Sequence, residues 1–294
     1  MNELTDFRHI TEKLLDSNPQ EDIFFLLDHG GLPGLSQQLQ HCSTEWASLF
    51  ARTQEAGALA VAPILVLAAS SGEIRLSRLV FNWLKRHGSY SSSLMLLVSP
   101  LNLTPLVGRL GTRLHINLEG GVEAMLRYFD PRVFESLLGT MTPEQTEHFL
   151  GVASSWCYVD RAGRVVQTKA KFIETELTST SLSLSQTQED LLLEASEIDQ
   201  ILSSMRSSAP DIFLEIPYAS QFSFVVESVS EARKEKLESR LQMSLYTLIR
   251  LFGTEKIIPV EVHQKAIGYL KSKDINNLKI FLNENFIELS RRVP

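Results

Sequence analysis

Short apolar runs and helical stripes alternate along the first half of the chain. DIFFLLD at 22–28, PILVLA at 63–68 and SLMLLVS at 93–99 have the length and density of buried strands. Around them, Thr5 to Leu15 sets Phe7, Ile10 and Leu14 at helical spacing. Leu35 to Phe50 predicts a second helix, with Leu35, Leu39, Trp46 and Phe50 facing the core. The glycines and proline of HGGLPG at 29–34 mark a turn. Ser77 to His87 predicts a helix that stops at Gly88, and Asn102 to Leu110 predicts another. LHINL at 114–118 and VEAMLRYF at 122–129 flank a glycine turn and read as a hairpin, as does WCYVDRAGRVV at 156–166. Between the hairpins, Pro131 to Leu138 predicts a short helix closed by Gly139. TPEQ, from Thr142, is a capping box with proline at the first helical position.

The pattern then changes. ETELTSTSLSLSQTQ at 174–188 is rich in Ser and Thr and reads as a domain boundary. Ser185 and Gln188 form another capping box, opening a helix to about Arg206. Residues 209–221 carry two prolines and read as irregular. From Ser228 a helix is expected to reach Phe252 on a stripe of Leu237, Leu241, Leu245, Leu248 and Phe252. Shorter helices fit 260–271 and 274–286. The expected class is α+β. An α/β lobe with a mixed sheet covered on both faces occupies 1–173, a linker 174–186, and a mostly helical lobe 187–294.

Composition narrows the function. The 294 residues are 44% hydrophobic and 21% charged, enough for a real core. A net charge of −7 argues against a general nucleic-acid binder, which needs a basic face. The longest apolar stretch, at 56–69, is too short to span a bilayer and holds Pro63, so no membrane span is expected. The N-terminus lacks the pattern of a secretory signal. With only Cys42 and Cys157, the simple reading is a reduced, cytoplasmic protein.

No phosphate-binding glycine loop and no nucleophile elbow is present. None of the seven histidines pairs at metal-ligand spacing except through the adjacent His41 and Cys42, which is a poor clamp. No cofactor is expected. Cys157 sits in an apolar strand and reads as an inert thiol. The sharpest cluster is LRYFDPRVFESLL at 126–138. There Asp130 suits a helix N-cap, Pro131 the first helical position, and Arg127 and Arg132 stand ready to pair with carboxylates. The bland reading is a braced corner. The alternative is a hydrolase or small-ligand-binding enzyme using Arg127, Asp130 and Arg132. A second cluster, with Phe213, Tyr218 and Phe222, reads either as core of the helical lobe or as a partner surface.

Four stretches, in order, resemble the effector chaperones of type VI secretion, also called adaptors or the Tap/Tec family and long labelled a domain of unknown function. They are FFLLDHGGLPGL, APILVLA, LLVSPLNLTPLVGRL and RYFDPRVFESLLGTMTPEQTEHFLG. The likeness covers about residues 22–166. It departs at Arg109-Leu110, where many members carry His-Leu, so no role of that histidine is transferred. The resemblance implies a non-enzymatic protein. It would bind a toxic effector and load it onto the C-terminal part of the VgrG spike, with the Asp130 corner holding a binding surface.

Overall fold

The central run DIFFLLD becomes β1 because its two side-chain faces are both apolar: Phe24 and Leu26 point one way, Ile23, Phe25 and Leu27 the other, and all are buried. The computed structural model describes residues 4–40, 43–51, 53–89, 91–175, 181–254 and 260–290. It divides the chain into two compact units, Met1–Leu193 and Glu194–Pro294. The first unit runs through α1 (Phe7–Ser17), β1 (Asp22–Asp28), α2 (Leu35–Gln40), β2 (Trp46–Ser48), β3 (Pro63–Ser70) and β4 (Glu73–Ile74). It continues with α3 (Arg78–Gly88), β5 (Leu94–Ser99), α4 (Leu103–Thr112), β6 (His115–Asn117) and β7 (Glu123–Met125). It closes with α5 (Pro131–Thr140), α6 (Pro143–Leu150), β8 (Ser155–Val159), β9 (Val165–Lys169), β10 (Leu182–Ser183) and the first turns of α7 (Gln186–Ser208).

Seven strands form the main sheet, in the order β2-β3-β1-β5-β8-β9 with β4 beside β3. Every pairing in it is antiparallel. The mixture of directions expected from the sequence lies in a small three-stranded sheet, where β6 pairs antiparallel with β7 and parallel with β10. Both faces of the main sheet are covered. Phe24, Leu26, Met95, Leu97, Trp156 and Tyr158 face a core with side chains of α4, α5 and α6. Ile23, Phe25, Leu96, Val98 and Cys157 face a second core with Phe7, Leu14, Val80, Phe81 and Leu84 of α1 and α3.

Several expectations are corrected. The helix expected over 35–50 ends at Gln40, and Trp46 lies on β2, 43% exposed. β3 would otherwise have an open edge; Leu67 N donates to Glu45 O at 2.9 Å and Leu49 N to Pro63 O at 2.9 Å. Gly139 does not close α5 but lies inside it, and Met141 caps it. In the expected linker, residues 176–180 lie outside the described residues. The residues after them belong with the first unit. Leu184 is buried in its core, Gln145 Nε2 donates to Ser183 O at 2.8 Å, and Gln188 Nε2 donates to Gln145 Oε1 at 2.7 Å. The two predicted capping boxes thus hold each other, one at the start of α6 and one at the start of α7. The units divide at 193/194, inside α7.

The second unit holds the rest of α7, then α8 (Pro210–Phe213), α9 (Tyr218–Lys234), α10 (Arg240–Thr254), α11 (Val260–Lys271) and α12 (Ile275–Ser290). The single helix expected over 228–252 is two. The chain breaks at Lys236, whose φ of +63° lies in the left-handed region, and Ser239 with Gln242 makes a new capping box. The buried side of α10 carries Met243, Tyr246, Ile249 and Leu251; of the expected leucine stripe, Leu237 is buried before the helix, Leu245 and Leu248 pack half-buried against the same core, and Leu241 is 57% exposed. The side chain of Phe252 lies outside the described residues.

Candidate functional site

The stretch from Arg127 to Arg132 turns the chain from β7 into α5. Tyr128 and Phe129 are interior. The Tyr128 hydroxyl donates to Leu110 O at 2.8 Å, and burial pushes its ionisation far above the usual phenol range. Its ring packs edge-on to Phe149 and Trp156, whose indole Nε1 donates to Leu150 O at 3.0 Å. The aromatic residues therefore fix the corner; Arg127 and Arg132 lie on its rim, while Asp130 is buried.

Asp130 caps α5 as expected. Its Oδ1 accepts from Arg132 N at 2.9 Å. The Arg132 guanidinium then forks onto the same carboxylate, Nε to Oδ1 at 3.0 Å and a terminal nitrogen to Oδ2 at 2.7 Å. Pro131 takes the first helical position, where its missing N–H costs nothing. Arg127 reaches across 99 residues to Asp28, at 2.8 Å, and lies over the Phe129 ring. The other oxygen of Asp28 accepts from Gly30 N at 3.0 Å. A Cβ at Gly31 would stand 2.0 Å from Ser93 Oγ, so only glycine fits beside this pair. Each carboxylate oxygen of Asp28 and Asp130 thus already holds a donor. The sequence pointed to Arg127, Asp130, Pro131 and Arg132, and the structure gathers them at one corner. It adds Asp28, which no local spacing could have linked to Arg127.

Two more arginines brace this end of the fold, and neither stood out in the sequence. Arg161, in the β8–β9 turn, donates to Arg132 O at 2.9 Å and Ser136 Oγ at 3.0 Å and pairs with Glu135. Arg113, only 6% exposed, donates to Phe149 O at 2.7 Å, Arg109 O at 2.7 Å and His148 O at 3.0 Å. Those carbonyls end α6 and α4, where helix carbonyls lack partners and the helix dipole is negative. Arg109 donates to Ile173 O at 2.6 Å and to Glu174 O.

A serine–histidine contact was also missed. Ser36 Oγ lies 2.6 Å from His29 Nε2. That is nucleophile–base distance, but a working pair needs a group to orient the histidine. His29 Nδ1 is buried and has no hydrogen-bond partner among the described residues. Asp28, next to it, is spent on Gly30 and Arg127. Among the described residues no three His, Cys, Asp or Glu side chains are placed to hold a metal. His41 and Cys42 lie outside the described residues. No described helix is long and apolar enough to cross a membrane.

In the second unit the aromatic cluster divides. Phe213 is buried among Ile201, Val225 and Ile249 side chains in the unit's core, so it cannot serve as an outward anchor; burial of its ring closes α8 onto the bundle. Tyr218 and Phe222 are half-buried, with the Arg206 guanidinium 4.5 Å from the Tyr218 ring centre. The residue the cluster does present is Leu214, 73% exposed.

Residues 23–148 match a family model described as a domain of unknown function (DUF4123). No curated protein and no solved structure matches the chain.

Proposed function

We propose that this chain is a non-enzymatic adaptor that holds a toxic type VI secretion effector in the cytoplasm of the producing cell and loads it onto the VgrG spike. One observation carries the reading. The first and last of the stretches that resemble the effector chaperones are joined by the Asp28–Arg127 pair, within the segment that the family model matches. The corner's charges are engaged within the chain. Among the described residues no acid orients the Ser36–His29 pair. These features favour binding over turnover at Arg127, Asp130 and Arg132.

The test is co-expression of the tagged full chain with the toxin and spike proteins encoded beside it. An adaptor recovers one or both in stoichiometric amount, and the purified chain is not labelled at Ser36 by a fluorophosphonate probe. Recovery of neither protein, or Ser36 labelling with turnover of an ester, overturns the reading.

A further inference from the structure

β9 is the last strand of the main sheet, hydrogen-bonded to β8 on one side. Asp160 N donates to Arg164 O at 2.8 Å and Ala170 N to Ser154 O at 2.9 Å, which fixes the phase of this antiparallel ladder. Val166 and Thr168 therefore bond inward to β8, and Val165, Gln167 and Lys169 turn their backbone N–H and C=O groups outward. No described residue takes those groups up. The opposite end of the sheet differs. β2 is three residues long, and Ala51 N and Phe50 N fold back at once onto Ser48. β9 has neither a proline nor a bulge to blunt it.

A second observation lies beside this edge. A pocket of about 560 Å³ runs between β9 and α1. Val165 and Gln167 line it from the strand, Ile10 and Leu14 from the helix, and Cys157 from β8. Leu14 and Cys157 are buried, and Val165 is 44% exposed. Alternate side chains of a strand share a face, so a chain paired to β9 would send every second side chain toward this pocket. An open ladder beside a helix-walled pocket suits an extended peptide: main-chain bonds hold it and the pocket reads its side chains.

Charge selects the occupant. Lys13 and Asp16 offset each other at the pocket, and Arg164 is taken by Asp160 at 2.7 Å. Lys169 and Lys171 are exposed and make no ion pair among the described residues. Lysine on an edge opposes a like-charged strand and favours an acidic one. Two copies joined along β9 would bring both pairs of lysines to one seam, with no acid on either strand.

We infer that the groove between β9 and α1 takes an extended acidic segment of a partner protein, paired to β9 as an added edge strand. One apolar side chain of the segment enters the pocket beside Leu14 and Cys157, and its carboxylates face Lys169 and Lys171. The proposal rests on the adaptor reading.

The test uses the full chain and, as probes, the purified toxin and spike proteins encoded beside it. Hydrogen exchange followed by NMR reads the unmodified chain first. The amides of Val165, Gln167 and Lys169 should exchange fast in the free chain and become protected in the complex. Gln167→Pro removes one outward N–H and keeps the bonds to β8, a position where an edge strand tolerates proline. It should weaken binding tenfold or more at a melting temperature near the parent's, whereas Gln167→Ala should bind as the parent does. Lys169→Glu with Lys171→Glu should weaken binding several-fold and remove its salt dependence. Amides that stay unprotected in the saturated complex overturn the proposal while leaving the adaptor reading intact. So does a folded Gln167→Pro chain with the parent's affinity, or protection of these amides by self-association of the chain alone. A parent chain that binds neither probe overturns the adaptor reading and, with it, this one.

Discussion

Replacing Arg113 by methionine should be among the more damaging single changes in the first unit. Methionine keeps much of the apolar stem and removes the guanidinium. Three carbonyls then lose a donor, those of Phe149, Arg109 and His148. A buried acceptor left unsatisfied costs about 1–3 kcal/mol. The Phe149 carbonyl bond is fully buried, while the other two are partly open to water and recover some of the loss. The variant also escapes the cost of holding a charge at 6% exposure, which offsets part of the damage. The net loss should be about 2–4 kcal/mol. With a urea slope of roughly 2 kcal/mol per molar, the midpoint falls by about 1–2 M. All three tryptophans, at 46, 83 and 156, belong to the first unit, so tryptophan fluorescence follows that unit alone. Arg113→Lys, keeping the charge but reaching fewer carbonyls, should fall between the two. Arg8→Met, which breaks an exposed pair with Glu12, should shift the midpoint little. An Arg113→Met midpoint within about 0.3 M of the parent would refute the claim that this side chain closes two helix ends.

Three further outcomes are expected. Asp130→Ala should lose about 1–2 kcal/mol in the same urea assay, through its cap and its fork with Arg132. Asp130→Asn should stay near the parent because asparagine also caps; an alanine variant as stable as the parent would remove the cap from the account. Burial pushes the Cys157 thiol up from 9.0 to about 11. A raised acid favours the protonated folded state, so this stability is intact below pH 9 and lost as pH rises to about 11, roughly 2–3 kcal/mol in all. Cys157→Ala should therefore unfold with a shallower alkaline slope, and an unchanged slope would contradict the assignment. In the second unit, Phe213→Ala should cost about 3–5 kcal/mol and melt helix by far-ultraviolet circular dichroism while leaving the tryptophan transition in place. Leu214→Ser, one residue on, should stay within about 0.5 kcal/mol, and equal losses at both positions would contradict the assigned burial.

What the sequence by itself determined about this protein are the features whose partners sit a few residues apart. The strands of 22–28, 63–70 and 94–99 follow from dense apolar runs. The Asp130 cap, the Thr142–Gln145 box and the Ser185–Gln188 box follow from three-residue spacings, because a side chain at that distance meets the backbone it caps wherever the helix lies. The Ser239–Gln242 box has the same spacing, but the leucine stripe that runs through it predicts a continuous helix. Tertiary structure decided the rest. Trp46 became an edge-strand residue because β3 needed a neighbour, a demand that its own neighbours in sequence do not encode. Asp28 met Arg127, Gln145 met Gln188, and Arg113 found the ends of α4 and α6 only because the chain path brought them together. A long polar side chain can satisfy many partners equally well, so its choice depends on which buried group the fold leaves without one.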